Sequence, residues 1–232
     1  MILKKIIDLS NNKSTPAITE CNRCGTCCKK GGPSFHLEDK MLIEKGIILS
    51  TYLYTIRIGE LSHDNIKECL LPAASDIIKI KGQKGSWTCI FFDEKENECI
   101  IYDNRPLECR VLKCWDTREI EKIYSKNRLT RKDLISTIEG LWELIEDHQT
   151  RCSYDKLEHF IEALNRSKKD DAFKGILDII EYDTRIRKLV VQKGGLDPDM
   201  TDFLFGRPFP ETIRMYGFKV TRIDNHYRLV SI

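Results

Sequence analysis

Cys21 to Cys28 reads "CNRCGTCC", four cysteines in eight residues with the last two adjacent. Whether these thiols pair, hold a metal or react decides how the chain around them folds, because a bound ion ties distant loops together. The C-x-x-C spacing lets one turn aim two sulfurs at one ion, and Gly25 permits the tight bend this requires. Cys27 and Cys28 leave consecutive residues in different directions, so they are poorly placed to serve the same single ion. One of them is left to face a second metal or to stay spare. A disulfide between them would need strained backbone.

Ten cysteines in 232 residues lie at 21, 24, 27, 28, 69, 89, 99, 109, 114 and 152. The N-terminal "MILKKIIDLSNNKS" is interrupted by Asp8 and is followed by no apolar h-region, so no signal peptide is expected. No apolar run approaches the ~20 residues of a membrane span. A cytoplasmic location follows as the expectation, and there clustered thiols bind metal more often than they form disulfides. The net charge of +2 disfavours an electrostatic nucleic-acid binder, which would carry a strong basic surplus.

A second cysteine group, "CIFFDEKENECIIYDNRPLECRVLKC", carries Cys89, Cys99, Cys109 and Cys114. With Cys21, Cys24, Cys27 and Cys28 it makes eight clustered thiols. Zinc or an iron–sulfur cluster is the usual outcome of a four-thiolate set. Eight thiols allow one site or two, and the spacing does not choose. Each four-thiolate site carries about −2. Arg23, Lys29, Lys30, Arg105, Arg110 and Lys113, interleaved with the sulfurs, are placed to offset it, and at least one of Arg105 and Arg110 is expected to face the site. Pro106 fixes the backbone ahead of Cys109. His36 is an exchangeable ligand candidate, Trp87 and Trp115 read as core or shielding residues, and Cys69 and Cys152 as packing residues or bystanders.

The remaining pattern predicts an α+β, mainly helical chain. Residues 1–20 form an arm. Ser34 caps a short helix that Gly46 ends, and residues 47–60 are not separable into helix or strand. Short strands occupy 75–102, with "FFDEKENECII" as a hairpin that brings Cys89 and Cys99 to neighbouring positions. Helices follow from Thr117, with Thr117, Thr130 and Ser153 as N-caps and residues 130–149 read as one helix. The longest helix stops at Gly194–Gly195, a Pro-rich turn near 210 enters a short helix, and the tail is a hairpin around Asp224–Asn225. The chain thus divides into an arm (1–20), a cysteine-cluster region stapled by metal (21–116) and a helical region (117–232), folded as one unit.

"CNRCGTCC", with the later block of Cys99, Tyr102, Arg105, Pro106, Cys109 and Arg110, resembles the YkgJ-type cysteine-cluster family of zinc- or iron-chelating proteins, over about residues 20–116. The flagellin lysine methylase FliB carries a similar cysteine pattern. The resemblance implies a chelating protein and makes a protein-modifying enzyme of the lysine methylase type the first rival. A zinc-built interaction module is the second rival. The expected partner is a metal ion or cluster, with a protein partner or substrate left open and no membrane.

Overall fold

The computed structural model describes Cys21, residues 23–166, 169–223 and 226–232. The expected N-terminal arm and the Asp224–Asn225 turn lie outside these residues. The first half is built from short pieces: helix α1 (Thr26–Lys29), helix α2 (Lys40–Glu44), and strands β1 (Leu53–Ile56), β2 (Leu61–Asp64), β3 (Cys69–Pro72), β4 (Ile77–Ile80), β5 (Phe92–Asp93) and β6 (Glu98–Cys99). Helices then dominate: α3 (Leu107–Val111), α4 (Arg118–Ile123), α5 (Arg131–Ile135), α6 (Leu141–Arg151), α7 (Tyr154–Arg166), α8 (Lys169–Gly194), α9 (Thr201–Phe205) and α10 (Phe209–Thr212). The hairpin β7 (Phe218–Ile223) and β8 (His226–Ser231) closes the chain. This is an α+β protein whose strands form separate antiparallel pairs.

Strand β1 pairs with β4, Leu53 opposite Ile80 and Ile56 opposite Ile77. Residues 34–36 run beside β4, with Phe35 N–H donating to Ile78 O (2.9 Å) and Leu129 N–H to Phe35 O (3.1 Å). These β-branched and aromatic side chains fill one core: Phe35, Leu53, Ile78 and Ile80 pack with Phe91, Phe92, Leu129, Ile145 and, from the far end of the chain, Phe203 to Phe205. Thr55 Oγ1 ties β1 to α9 by donating to Phe203 O at 2.7 Å. A second core holds α7 against α8 and α10 through Tyr154, Leu157, Ile176, Ile180, Phe209 and Ile213. No helix among the described residues is long and apolar enough to cross a membrane.

Several expectations need correction. The short helix after Ser34 starts from His36, whose backbone N–H donates to Asp39 Oδ2 at 3.0 Å, while Ser34 is drawn into a bridge with Lys79. The stretch 130–149 breaks into α5 and α6 at Gly140, whose φ of 77° leaves the helical region. Thr130 caps α5 as expected, accepting from Asp133 N–H, and Ser153 Oγ accepts from Lys156 N–H at 3.3 Å ahead of α7. The pair β2–β3 escaped the sequence reading, because its strands show no regular alternation. Trp87 is not a core residue, being 68% exposed.

Candidate metal centre

Gly25 opens the site. Its φ of 72° turns the chain into α1, and a Cβ there would fall 2.3 Å from Phe92 Cζ, so only glycine lets the turn lie on the β5–β6 hairpin. Asn97 Nδ2, in the hairpin loop, donates to Arg23 O at 2.9 Å. Cys89 N–H donates to Cys28 O at 2.8 Å. These contacts seat the first cysteine run on the second.

Five sulfurs share one neighbourhood. Cys27 and Cys28 hydrogen-bond through their side chains, Cys28 feels Cys109 and Cys89, Cys89 feels Cys99, and Cys109 feels Cys89, Cys27 and Cys99. Cys24 interacts with Cys27 and with Thr26 Oγ1, 3.2 Å from its sulfur. Cys21 accepts Arg23 N–H at 3.4 Å and is exposed, as is Cys114. Among the described residues no three His, Cys, Asp or Glu side chains close into a ligating set. The donor chemistry suits a soft or borderline cation, and the sulfurs are gathered but not drawn in.

Their protonation follows from burial and charge. The Cys28 thiol, by hydrogen bonding, holds Cys27 down to about 6 against the effect of burial, with Arg105 adding to the drop. The same bond raises Cys28. Burial pushes Cys89 up to about 11 and raises Cys99 and Cys109. A cation entering the group must therefore displace protons from most of it.

Arg105 and Lys79 face the sulfurs. Arg105, as expected, acts on Cys27 and Cys99, held by its Nε–H to Tyr102 O at 2.7 Å. Arg110 points elsewhere, to Asp39 at 3.5 Å. The second cation, Lys79, escaped the sequence reading; it interacts with Cys109 and Cys89, and burial lowers its pKa. Lys79 Nζ donates to Ser34 Oγ at 3.1 Å, and Ser34 N–H donates to Glu108 Oε2 at 2.6 Å. Glu108 also accepts from Arg128 Nη1 at 2.7 Å. Burial alone would raise Glu108, but His36, Lys79, Arg128 and the Ser34 N–H outweigh it and bring it to about 2. A carboxylate directly before Cys109 is thus locked, and α3 with it. "PLEC" displays Glu108 next to the cysteine, but nothing in the sequence marks its partners.

His36 belongs to this lock rather than to the thiols. It is 1% exposed, with Nδ1 2.8 Å from Lys126 O and Nε2 3.5 Å from Glu108 Oε1. Of the two bystander cysteines, Cys152 is buried in the second core and Cys69 is exposed.

Residues 20–133 match the family model CxxCxxCC, described as "Putative zinc- or iron-chelating domain". No curated protein and no solved structure matches the chain.

Proposed function

We propose that this chain, a member of the CxxCxxCC family through residues 20–133, binds zinc or iron, the iron either as an ion or in an iron–sulfur cluster, through cysteine thiolates. The observation that carries the reading is the convergence of Cys27, Cys28, Cys89, Cys99 and Cys109 from two separate stretches of sequence, with Arg105 and Lys79 beside them. Thiolate sulfur is the preferred donor for zinc and for iron–sulfur clusters, and each bound group stabilises the fold that assembles its ligands. Cys24 adjoins the five and is the next ligand in rank. Cys21 and Cys114 complete the proposed set of eight from exposed positions.

The chain's own contribution is electrostatic and geometric. Arg105 and Lys79 offset thiolate charge, the Glu108 lock fixes α3 and so the direction of Cys109, and Phe92 with Gly25 fixes the turn that carries Cys27 and Cys28. A bound metal would staple the cysteine run to the hairpin.

The test is metal and acid-labile sulfide analysis, with a visible spectrum, on protein purified without oxygen. Iron with matching sulfide and a brown colour would identify a cluster. Iron without sulfide, or colourless protein with one or two zinc ions, would identify a mononuclear site. Protein free of all three, and unable to take up zinc or ferrous iron in titration, would sink the reading.

A further inference from the structure

The gathered sulfurs differ in how solvent reaches them. Cys89 is 7% exposed, with its neighbours Phe91 and Phe92 in the first core. Cys28, Cys99 and Cys109 are half-buried, whereas Cys27 is exposed, as is Cys24 just ahead of it. Cys27 bridges the two zones. It interacts with Cys24 on the outside and with Cys28, Cys89, Cys99 and Cys109 within. The thiols therefore form a graded series from surface to core, with Cys24 and Cys27 toward its outer end.

The backbone fixes Cys24 at the surface. Arg23 and Gly25, on either side of it, have φ of 53° and 72°, so the chain bends in the left-handed sense both before and after the cysteine. Arginine adopts that conformation at a cost, and holds it only where surrounding contacts impose it. Here they do: Asn97 Nδ2 donates to Arg23 O at 2.9 Å, the Arg23 guanidinium lies 4.3 Å from the Tyr102 ring centroid, and Gly25 is seated on Phe92. Arg105 packs on the same Tyr102 ring at 3.5 Å, which ties this turn to the cation that acts on Cys27. Thr26 Oγ1, 3.2 Å from the Cys24 sulfur, orients the thiol itself. An exposed thiol held this firmly is placed to meet something arriving from solvent.

A hydrated ion that moved straight to Cys89 would shed its water against an apolar wall, leaving a charge unanswered. Exchanging water for sulfur one ligand at a time avoids that cost. We propose that Cys24 is the entry port of the candidate metal centre, binding the ion first and passing it inward through Cys27. The port rests on the chelation reading above and divides its sulfurs by role. As each metal–sulfur bond forms, a thiol proton leaves to solvent. When Cys24 lets go, its sulfur takes a proton back, and no electron changes hands. A port and a resident ligand differ in sign: loss of a ligand speeds departure of the ion, whereas loss of a port slows arrival and departure alike, because one path serves both.

The test is exchange of bound zinc with radioactive zinc in solution, timed on the full-length, zinc-loaded protein. Cys24→Ser should slow the exchange by about tenfold, the low end of the effect of removing a group just outside a metal's ligands. Cys109→Ser, which removes an inner sulfur, should speed it. Cys69→Ser, at an exposed thiol on β3, should leave it unchanged. Faster or unaltered exchange in Cys24→Ser would make Cys24 a resident ligand or a bystander and overturn the port, with the chelation reading intact. Equal slowing by Cys69→Ser would overturn it too, since any surface thiol would then serve. Wild-type protein that retains no zinc also overturns the port, whereas the chelation reading falls only if iron is refused as well.

Discussion

Cys89 N–H donates to Cys28 O at 2.8 Å. This single bond joins two cysteine groups that the sequence keeps far apart. It sets the sulfur of Cys28 beside the buried thiol of Cys89, and both residues pack into the first core. The candidate metal centre and the hydrophobic core therefore share a wall, so changes to either should be felt by both.

Cys109 interacts with Cys89, Cys27 and Cys99 at once. Cys109→Ser should lower bound metal and the unfolding midpoint of the loaded protein together, as read by metal analysis and thermal melts of the same sample. Cys152→Ser is the contrast. Its sulfur, 3.6 Å from Ile179 O, sits in the second core, so metal content should stay at the wild-type level while stability falls by about 1 kcal/mol. Metal loss on Cys152→Ser would show that the cysteines have been partitioned wrongly.

Gly25→Ala should act on the same centre without touching a sulfur. The added methyl meets Phe92 Cζ at 2.3 Å, in a backbone conformation with φ of 72°. About 1–2 kcal/mol of destabilisation is expected from the left-handed backbone and the clash, with weaker zinc uptake in a competition titration. Unaltered uptake would mean that the turn does not position Cys27 and Cys28.

Glu108→Gln leaves Arg128 without its buried counter-charge and loosens the contact with Ser34 N–H. Loss of one partner of such a pair costs about 3–5 kcal/mol, to be measured by urea unfolding. A change under about 1 kcal/mol would place the carboxylate among surface ion pairs instead.

The buried His148, packed on Phe205, carries its own pH dependence. Burial lowers His148 from 6.5 to about 4, although Asp183 Oδ1, 2.8 Å from its Nε2, favours the charged form. A base depressed on folding keeps its full stabilisation above its unfolded pKa and loses it as pH falls. The loss should run from pH 6.5 toward 4 and reach about 3 kcal/mol at its foot. Comparing unfolding free energies of wild type and His148→Gln across that window isolates the effect. Parallel curves for the two proteins would refute it.

The sequence by itself determined the chemistry and much of the local structure. The spacing of Cys21 to Cys28 and the block from Cys99 to Arg110 carried the family resemblance and the candidate thiolate donors. Gly25 marked the turn, Thr130 the capped helix, and Asp93 to Cys99 the hairpin, since each depends on residues close in the chain. Only the tertiary structure decided which thiols meet. Cys109 reaches Cys89 because Glu108, Ser34 and Lys79 close around α3 from three separate segments, while Cys114, five residues on, stays exposed. The buried Arg57 and its hydrogen bond to Gln149 were equally hidden, because such a contact is a property of packing between distant elements. Periodicity and spacing report on neighbours along the chain, whereas burial and charge pairing depend on what the fold brings across it.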